Sequence, residues 1–402
     1  MESSHHNRIV MGLGGTVDYE IDLDAKVIED LVSKWEISNF EVKSDIPILS
    51  ERDLLLTLLY FLKTGTGGER FVLNSGDLIA FANRFKKRVT LGGTCVRAAI
   101  ALSYFGIKST VHLVSISDEV RERLPDLTNY ICSADRDTLD PHLIVQFAEN
   151  FRVNCRDIDI TSSQPSRIIY TNDPPNRELV ISDELGKFLQ DSSVFMISGF
   201  NCIQDLAILN QRIADIKWHM KSAPKDCKIF YEDAGYHIFA MSQEVRNQLL
   251  SEFDVYSLNE DEMQGYIGRK LKLLDVNDVF AGLGELKKLI PAKNLVVHTR
   301  FWSIVIGPDA NELKGPMQAG ITMASTRYVK GDVFTPSDFK SVSEYAKSKS
   351  GSEFANEMQA RFGADAHCIP GFELRVEKPT TIGLGDTFVG GFVAALAGAL
   401  KT

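Results

Sequence analysis

The sequence predicts an α/β fold, with a mainly parallel sheet flanked by helices and a smaller α+β lid. Along most of the 402 residues, short apolar runs alternate with longer stretches of helical periodicity, the pattern of strands joined by crossover helices. Several of these runs are apolar throughout, as strands covered on both faces are. Two segments, 18–90 and 160–185, break the rhythm and read as a lid, which leaves 1–17, 91–159 and 186–402 as the larger unit.

In chain order, Arg8–Leu13, Thr110–Ser115, Leu143–Phe147, Val194–Ser198, Ile229–Glu232, Val255–Leu258, Leu295–His298 and Ser303–Ile306 read as strands. Val96–Phe105, Ile203–Met220, Ser242–Phe253 and Asn277–Leu289 carry the helical period between them. The first lid segment is charged and mostly helical, with a glycine-rich loop at Gly65-Thr66-Gly67-Gly68-Glu69-Arg70. The second reads as a hairpin: Arg167–Thr171, a turn through Asn172-Asp173-Pro174-Pro175-Asn176, then Glu178–Ser182. The polar stretch Asp332–Asp365 reads as a surface insertion.

Composition narrows the function. With 44 Lys and Arg against 54 Asp and Glu, the net charge is −10, which argues against a nucleic-acid binder needing a broad basic face. A local basic pocket for a phosphorylated small molecule stays compatible. The six cysteines lie in no CxxC pair or zinc-ligand spacing, so neither a disulfide framework nor a zinc site is expected. The N-terminus carries no apolar run of signal length. The run Phe388–Leu400 is glycine-interrupted and too short to span a bilayer. The expectation is a cytoplasmic protein with no membrane partner; its oligomeric state is not legible.

Two motifs carry chemistry. Ile382-Gly383-Leu384-Gly385-Asp386-Thr387 precedes a run of small and apolar residues. Glycines opening a helix leave backbone N–H groups free where the helix dipole is positive, a cradle for a phosphoryl group in transit. Asp386, in the first turn, is placed to accept a proton; the competing reading is an ordinary glycine turn with an Asp cap. The second motif, Asn259-Glu260-Asp261-Glu262, ends a strand at the edge where open parallel sheets bind ligands. Asn259 and Glu262 share a helical face and could serve a hydrated magnesium ion and a nucleotide phosphate, or merely cap the helix. Glu232-Asp233 ends a neighbouring strand and could help position the same ion.

These motifs, in this order, resemble the ADP-dependent glucokinase/phosphofructokinase family of the ribokinase-like superfamily. Pro379 to Thr387 resembles its P-x-x-T-V-G-L-G-D segment, Asn259 and Glu262 its NxxE motif, and Val297-His298-Thr299 its V-H-T segment. Ser198–Asn201, Arg167–Asp173 and Gly65–Arg70 resemble three further family elements, so the likeness runs from about residue 8 to the C-terminus. The resemblance implies a ribokinase-like, Rossmann-type nucleotide domain closed by a sugar-binding lid. The implied reaction is magnesium-dependent phosphoryl transfer from ADP, or from ATP in the alternative reading, to a hexose or hexose phosphate. Asp386 would be the base, and Gly383, Leu384 and Gly385 the anion hole. Asp18, Gly92, Gly93, Thr94 and Glu69 would meet the acceptor sugar. Asn259, Arg167, His298, Thr299 and Thr381 would meet the nucleotide, and Glu262 and Glu232 the magnesium ion.

A phosphorylated acceptor would also need arginines, for which Arg97 and Arg177 are the candidates. The chain departs from the family pattern at Phe230, where a His is usual, at Thr94, where Asn or Gln is usual, and just upstream of Asp18, where an Asn is usual and this chain reads Gly14-Gly15-Thr16-Val17. The acceptor positions have therefore changed more than the catalytic loop, which keeps open a sugar- or nucleotide-binding regulator without turnover. Gly12-Leu13-Gly14-Gly15 lacks the third glycine of a dinucleotide fingerprint and is read as close packing at a hinge. Lys86-Lys87-Arg88 is read as a solvated helix face and Cys95 as a buried inert thiol.

Overall fold

The computed structural model describes residues 8–236, 238–376 and 382–401. Its larger sheet contains β1 (Arg8–Gly12), β5 (Ser109–Leu113), β6 (Thr128–Cys132), β11 (Ser192–Ile197), β12 (Lys228–Glu232), β13 (Val255–Asn259), β14 (Leu295–His298), β15 (Trp302–Ile306) and β16 (Ala366–Pro370). The second contains β2 (Thr16–Asp22), β3 (Gly68–Phe71), β4 (Lys87–Gly92), β7 (His142–Phe147) and β10 (Ser166–Thr171). A short hairpin joins β8 (Arg152–Cys155) to β9 (Ile158–Thr161).

The nine strands run in the order β16-β15-β14-β13-β12-β11-β1-β5-β6. Pairing is parallel from β6 through β14, and β15 and β16 add antiparallel strands at one edge. The inner strands are largely apolar because both faces are covered, whereas the edge strand β6 exposes Asn129 and Tyr130. Ile9 and Met11 of β1 pack into one hydrophobic cluster and Val10, pointing the other way, into a second.

The five-stranded sheet, ordered β3-β10-β7-β2-β4, has two unlike faces. Val17, Tyr19, Ile21, Leu143, Val145, Phe147, Ile168 and Tyr170 join Leu54, Leu55 and Leu58 of the Glu51–Thr64 helix in one core cluster. Strand alternation turns Asp18, Glu20, Arg88, Thr90, Gly92, His142, Arg167 and Thr171 to the opposite face. Contacts from Asp18 and Arg88 to the larger unit put this polar face toward it.

Several elements differ from expectation. Leu143–Phe147 is a strand of the second sheet, inserted between β2 and β10. That sheet starts at Thr16 and so reaches outside 18–90 and 160–185. The expected return strand Glu178–Ser182 is absent; Pro174–Glu178 is a short helix whose first turn holds both prolines and whose N-terminus Asp173 caps. Proline at the first helical position lacks only an N–H that would be unpaired anyway. Asp332–Asp365 contains the helices Pro336–Ser343 and Lys349–Phe362, which bury Val342, Phe354 and Met358. Among the described residues no helix is long and apolar enough to cross a membrane.

Candidate active site

The Leu384–Leu396 helix begins at Gly383, whose φ of 71° is left-handed and suits glycine. A Cβ there would stand 2.8 Å from Arg97 Nη1 and 3.1 Å from its Cδ. The Gly383 carbonyl accepts the Thr387 amide at 3.0 Å and the Thr387 hydroxyl at 2.7 Å. The helix is tightly flanked. Cβ atoms at Gly390 and Gly391 would press on the Ala98 and Ala319 carbonyls, so the Thr94–Ser103 and Lys314–Lys330 helices lie almost in backbone contact with it. The first-turn amides and the dipole thus point from a fixed origin. Asp386 stands in that turn with its side chain 24% exposed.

Arg97 links this loop to the lid. Its Nη2 donates to Asp18 Oδ2 at 2.7 Å, and its Nε lies 3.8 Å from Asp386 Oδ2. Arg97 and Asp18 are both buried, and Thr16 donates to the other Asp18 oxygen at 2.7 Å. Gly92 is required here, because a Cβ would overlap Thr16 Oγ1 and the Asp18 carboxylate. Gly93, at φ 88°, passes Gly15 so closely that a Cβ would be 3.0 Å from its Cα. Thr94 opens the helix that carries Arg97.

Asp18 sits opposite His142 in the β2–β7 register. His142 Nε2 lies 3.1 Å from Asp173 Oδ2, and Asn176 donates to both Asp173 and the Gly15 carbonyl. Burial opposes a charge on His142, but the Asp173 hydrogen bond and charge, with Asp18 and Glu69 nearby, outweigh it and raise its pKa. Thr171 donates to Glu69 at 3.5 Å. Arg177 donates to Asn172 at 3.2 Å and has no carboxylate within ion-pair distance among the described residues. Arg167 is exposed on the same polar face of the sheet.

Across the glycine loop, His298 Nε2 meets Glu232 Oε1 at 2.9 Å and its ring stacks on Phe388, centroids 4.5 Å apart. His298 is therefore a buried support beneath Gly385, 3.5 Å from where a Cβ would be. The second Glu232 oxygen is buried without a hydrogen-bond partner. Asn259 and Glu262 form a capping box: Asn259 Oδ1 accepts the Asp261 and Glu262 amides, and the Asn259 amide donates to Glu262 Oε2 at 2.7 Å. Burial, reinforced by the charges of Glu232 and Asp233, pushes the Glu262 carboxyl well above its usual range. The Thr299 hydroxyl closes the β14–β15 turn through Phe301 and Trp302. Thr381 lies outside the described residues.

Sequence reasoning missed His142, Asn176 and Arg327. The two-residue alternation of β7 could have flagged His142, had Leu143–Phe147 been given its place in the lid. Burial pushes the Cys95 thiol up to about 12, in keeping with an inert thiol. The site thus combines open helix amides, a carboxylate among them, and a polar lid face tied to that carboxylate by one buried arginine. Such a site can bind a phosphoryl group and deprotonate a hydroxyl beside it.

The sequence matches the family described as ADP-specific phosphofructokinase/glucokinase conserved region over residues 7–393. No curated protein matches it significantly by sequence. Among solved structures, a hypothetical ADP-dependent phosphofructokinase from Pyrococcus horikoshii OT3 superposes with a TM-score of 0.78 at 20% identity, covering 98% of both chains. An ADP-dependent kinase in complex with fructose-6-phosphate and ADPβS gives 0.70 at 15% identity, covering 98% of this chain and 95% of that one. Adenosine kinase from Sinorhizobium meliloti gives 0.51 at 11% identity over 98% of this chain and 88% of that one.

Proposed function

The chain belongs to the ADP-specific phosphofructokinase/glucokinase family, and on that premise we propose that it transfers the β-phosphoryl group of ADP to a sugar-phosphate hydroxyl. The observation that carries the proposal is the contiguity of Asp386, Arg97 and Asp18, which ties the base, the anion cradle and the acceptor side of the lid into one unit. Asp386 takes the hydroxyl proton as the acceptor oxygen bonds to the β-phosphorus. The bond from that phosphorus to the bridging oxygen breaks, and AMP leaves. The Gly383, Leu384 and Gly385 amides face the charge that spreads over the phosphoryl oxygens, where a fixed donor is worth ~100- to 1,000-fold in rate.

A divalent cation fits the donor set near Glu232 and Glu262. One Glu232 oxygen is buried and unpartnered, and the Glu262 carboxyl is held against ionisation by burial and its acidic neighbours. Among the described residues no three His, Cys, Asp or Glu side chains form a closed cage. Magnesium is commonly held by one or two carboxylates, waters and phosphates, and Glu232 and Glu262 are the carboxylates that would contribute here. Magnesium would neutralise nucleotide phosphate charge there.

Arg177 supports a phosphorylated acceptor, since its guanidinium has no carboxylate partner among the described residues while Arg97 is engaged with Asp18. An assay crossing ADP and ATP with glucose and fructose 6-phosphate tests the proposal. ADP-dependent turnover of the sugar phosphate is expected, and turnover only with ATP, or with neither donor, would overturn it.

A further inference from the structure

Arg327 lies at the C-terminal end of the Lys314–Lys330 helix, a position that in sequence reads only as a basic last turn. Its guanidinium is buried at 6% exposure, with Nε donating to the Ile382 carbonyl at 3.1 Å and Nη2 to Asp332 Oδ1 at 2.6 Å. Ile382 immediately precedes Gly383. The other Asp332 oxygen pairs with Arg88 on the lid strand β4, and Arg88 also donates to Glu20 on β2 at 2.6 Å. One chain of charged contacts therefore runs from the lid sheet, through Asp332 and Arg327, to the carbonyl in front of the helix amides.

We propose that Arg327 is a positioning residue that aims the first amide of the anion hole, with Asp332 and Arg88 making its hold depend on where the lid stands. The proposal rests on the reading of Gly383–Gly385 as that hole. In a planar trans peptide the C=O and the following N–H point in opposite directions. Fixing the Ile382 carbonyl on Arg327 turns the Gly383 N–H away from Arg327. The next peptide is fixed in the same way, because its carbonyl, that of Gly383, accepts both the amide and the hydroxyl of the fully buried Thr387. Two successive amides are thus oriented by their carbonyl partners.

The strut behind Arg327 is stiff. Gly320 and Gly391 let the Lys314–Lys330 and Leu384–Leu396 helices run antiparallel so closely that a Cβ at Gly320 would be 2.9 Å from the Phe388 carbonyl. A movement of the lid reaches this strut through the Arg88–Asp332–Arg327 contacts. The exposed Arg88–Asp332 pair is the weak link, since such pairs change an equilibrium by a few-fold at most.

The test measures kcat and KM for both substrates in Arg327→Met, Asp332→Asn and Arg88→Gln, with amide exchange of the 382–388 peptide followed in the same proteins. Arg327→Met is expected to lower kcat 10- to 100-fold and Asp332→Asn about 3- to 10-fold, with each KM within threefold of wild type. Arg88→Gln should cost less than fivefold, and combined with Asp332→Asn it should cost no more than Asp332→Asn alone. Exchange in 382–388 should quicken in Asp332→Asn. Should Arg327→Met fail to fold, Asp332→Asn, on a partly exposed residue, decides the matter. Wild-type kcat in these variants, or a loss carried by KM, overturns the proposal. If the wild-type protein itself turns over no sugar, the proposed activity fails separately, and unchanged exchange in Asp332→Asn then overturns the positioning role.

Discussion

Replacing Arg97 by Met should destabilise the protein more than it disturbs substrate binding, because the side chain is half of a buried ion pair. Its Nη2 lies 2.7 Å from Asp18 Oδ2, with side-chain exposures of 7% and 5%. Removing the cation leaves a carboxylate in the interior with the Thr16 hydroxyl as its remaining hydrogen-bond partner. Breaking such a pair from one side costs about 3–5 kcal/mol. Removing both charges is far less damaging, because no uncompensated ion stays behind. At ~2–4 °C per kcal/mol for units of 150–250 residues, and about half that for 402 residues, Arg97→Met should lower the thermal midpoint by roughly 3–10 °C.

The assay is calorimetric unfolding of wild type, Arg97→Met, Asp18→Asn and the double variant, without ligand, at low and high salt. The double variant should regain at least half of the loss in Arg97→Met. The difference should persist in high salt, because buried pairs are poorly screened. A midpoint for Arg97→Met within 2 °C of wild type, or a double variant less stable than the single one, would refute the reasoning.

Asp386→Asn should lower kcat ~100- to 10,000-fold, the usual contribution of a general base, while calorimetry shows AMP affinity within threefold; a tenth of the wild-type rate remaining would exclude Asp386 as the base. Glu262→Gln should raise the magnesium concentration giving half-maximal rate, and an unchanged dependence would leave Asn259 and Glu262 as a helix cap alone. Arg177→Ala should raise KM for a sugar phosphate more than tenfold and hardly affect an unphosphorylated sugar; equal effects on both would favour a neutral hexose. His142 titrates above its unfolded value of about 6.5, so the folded protein holds the extra proton and the stability from His142–Asp173 is full below that value and lost as pH rises through the folded pKa. The midpoint difference between wild type and His142→Gln should accordingly be larger at pH 6 than at pH 8.5, and a pH-independent difference would mean that the pair is uncharged.

The main sheet was legible because apolar runs such as Ile9–Met11 within Arg8–Leu13 have only one economical home, a strand covered on both faces. The glycine turn before the Leu384–Leu396 helix was legible for a different reason. A left-handed residue followed by close helix packing demands glycine at fixed spacing, and Gly383, Gly390 and Gly391 carry that demand in the sequence. The lid was harder to read. Leu143–Phe147 has the same apolar look as a core strand, and the sheet it joins depends on long-range pairing with Thr16–Asp22, which no local pattern encodes. The Pro-Pro step after Asp173 was read as a turn because its role at a helix start depends on the Asp cap forming. Lys86-Lys87-Arg88 was read as a helix face, yet Lys87 and Arg88 belong to β4, where alternation sends Arg88 to Glu20 and Asp332.

The same contrast explains why the pairing of the site's charges, and Arg327 itself, escaped the sequence. A net charge of −10 sums over a surface that water screens, whereas the cleft holds Arg97 and Arg327, two arginines withdrawn from water. Each is tolerable only because a carboxylate stands against it, Asp18 for Arg97 and Asp332 for Arg327, and each lies within reach of Asp386 or of the turn that holds it. A phosphate drawn directly to Arg97 would compete with Asp18 and leave a buried anion unpaired, a cost that cancels much of the gain. On the proposed function, an acceptor phosphate is better served by a cation with no anionic partner to abandon, and Arg177, whose guanidinium donates to Asn172 and meets no carboxylate among the described residues, is such a cation. On that same proposal, Arg97 then serves as a tie between the carboxylates of lid and loop, 2.7 Å from Asp18 and 3.8 Å from Asp386.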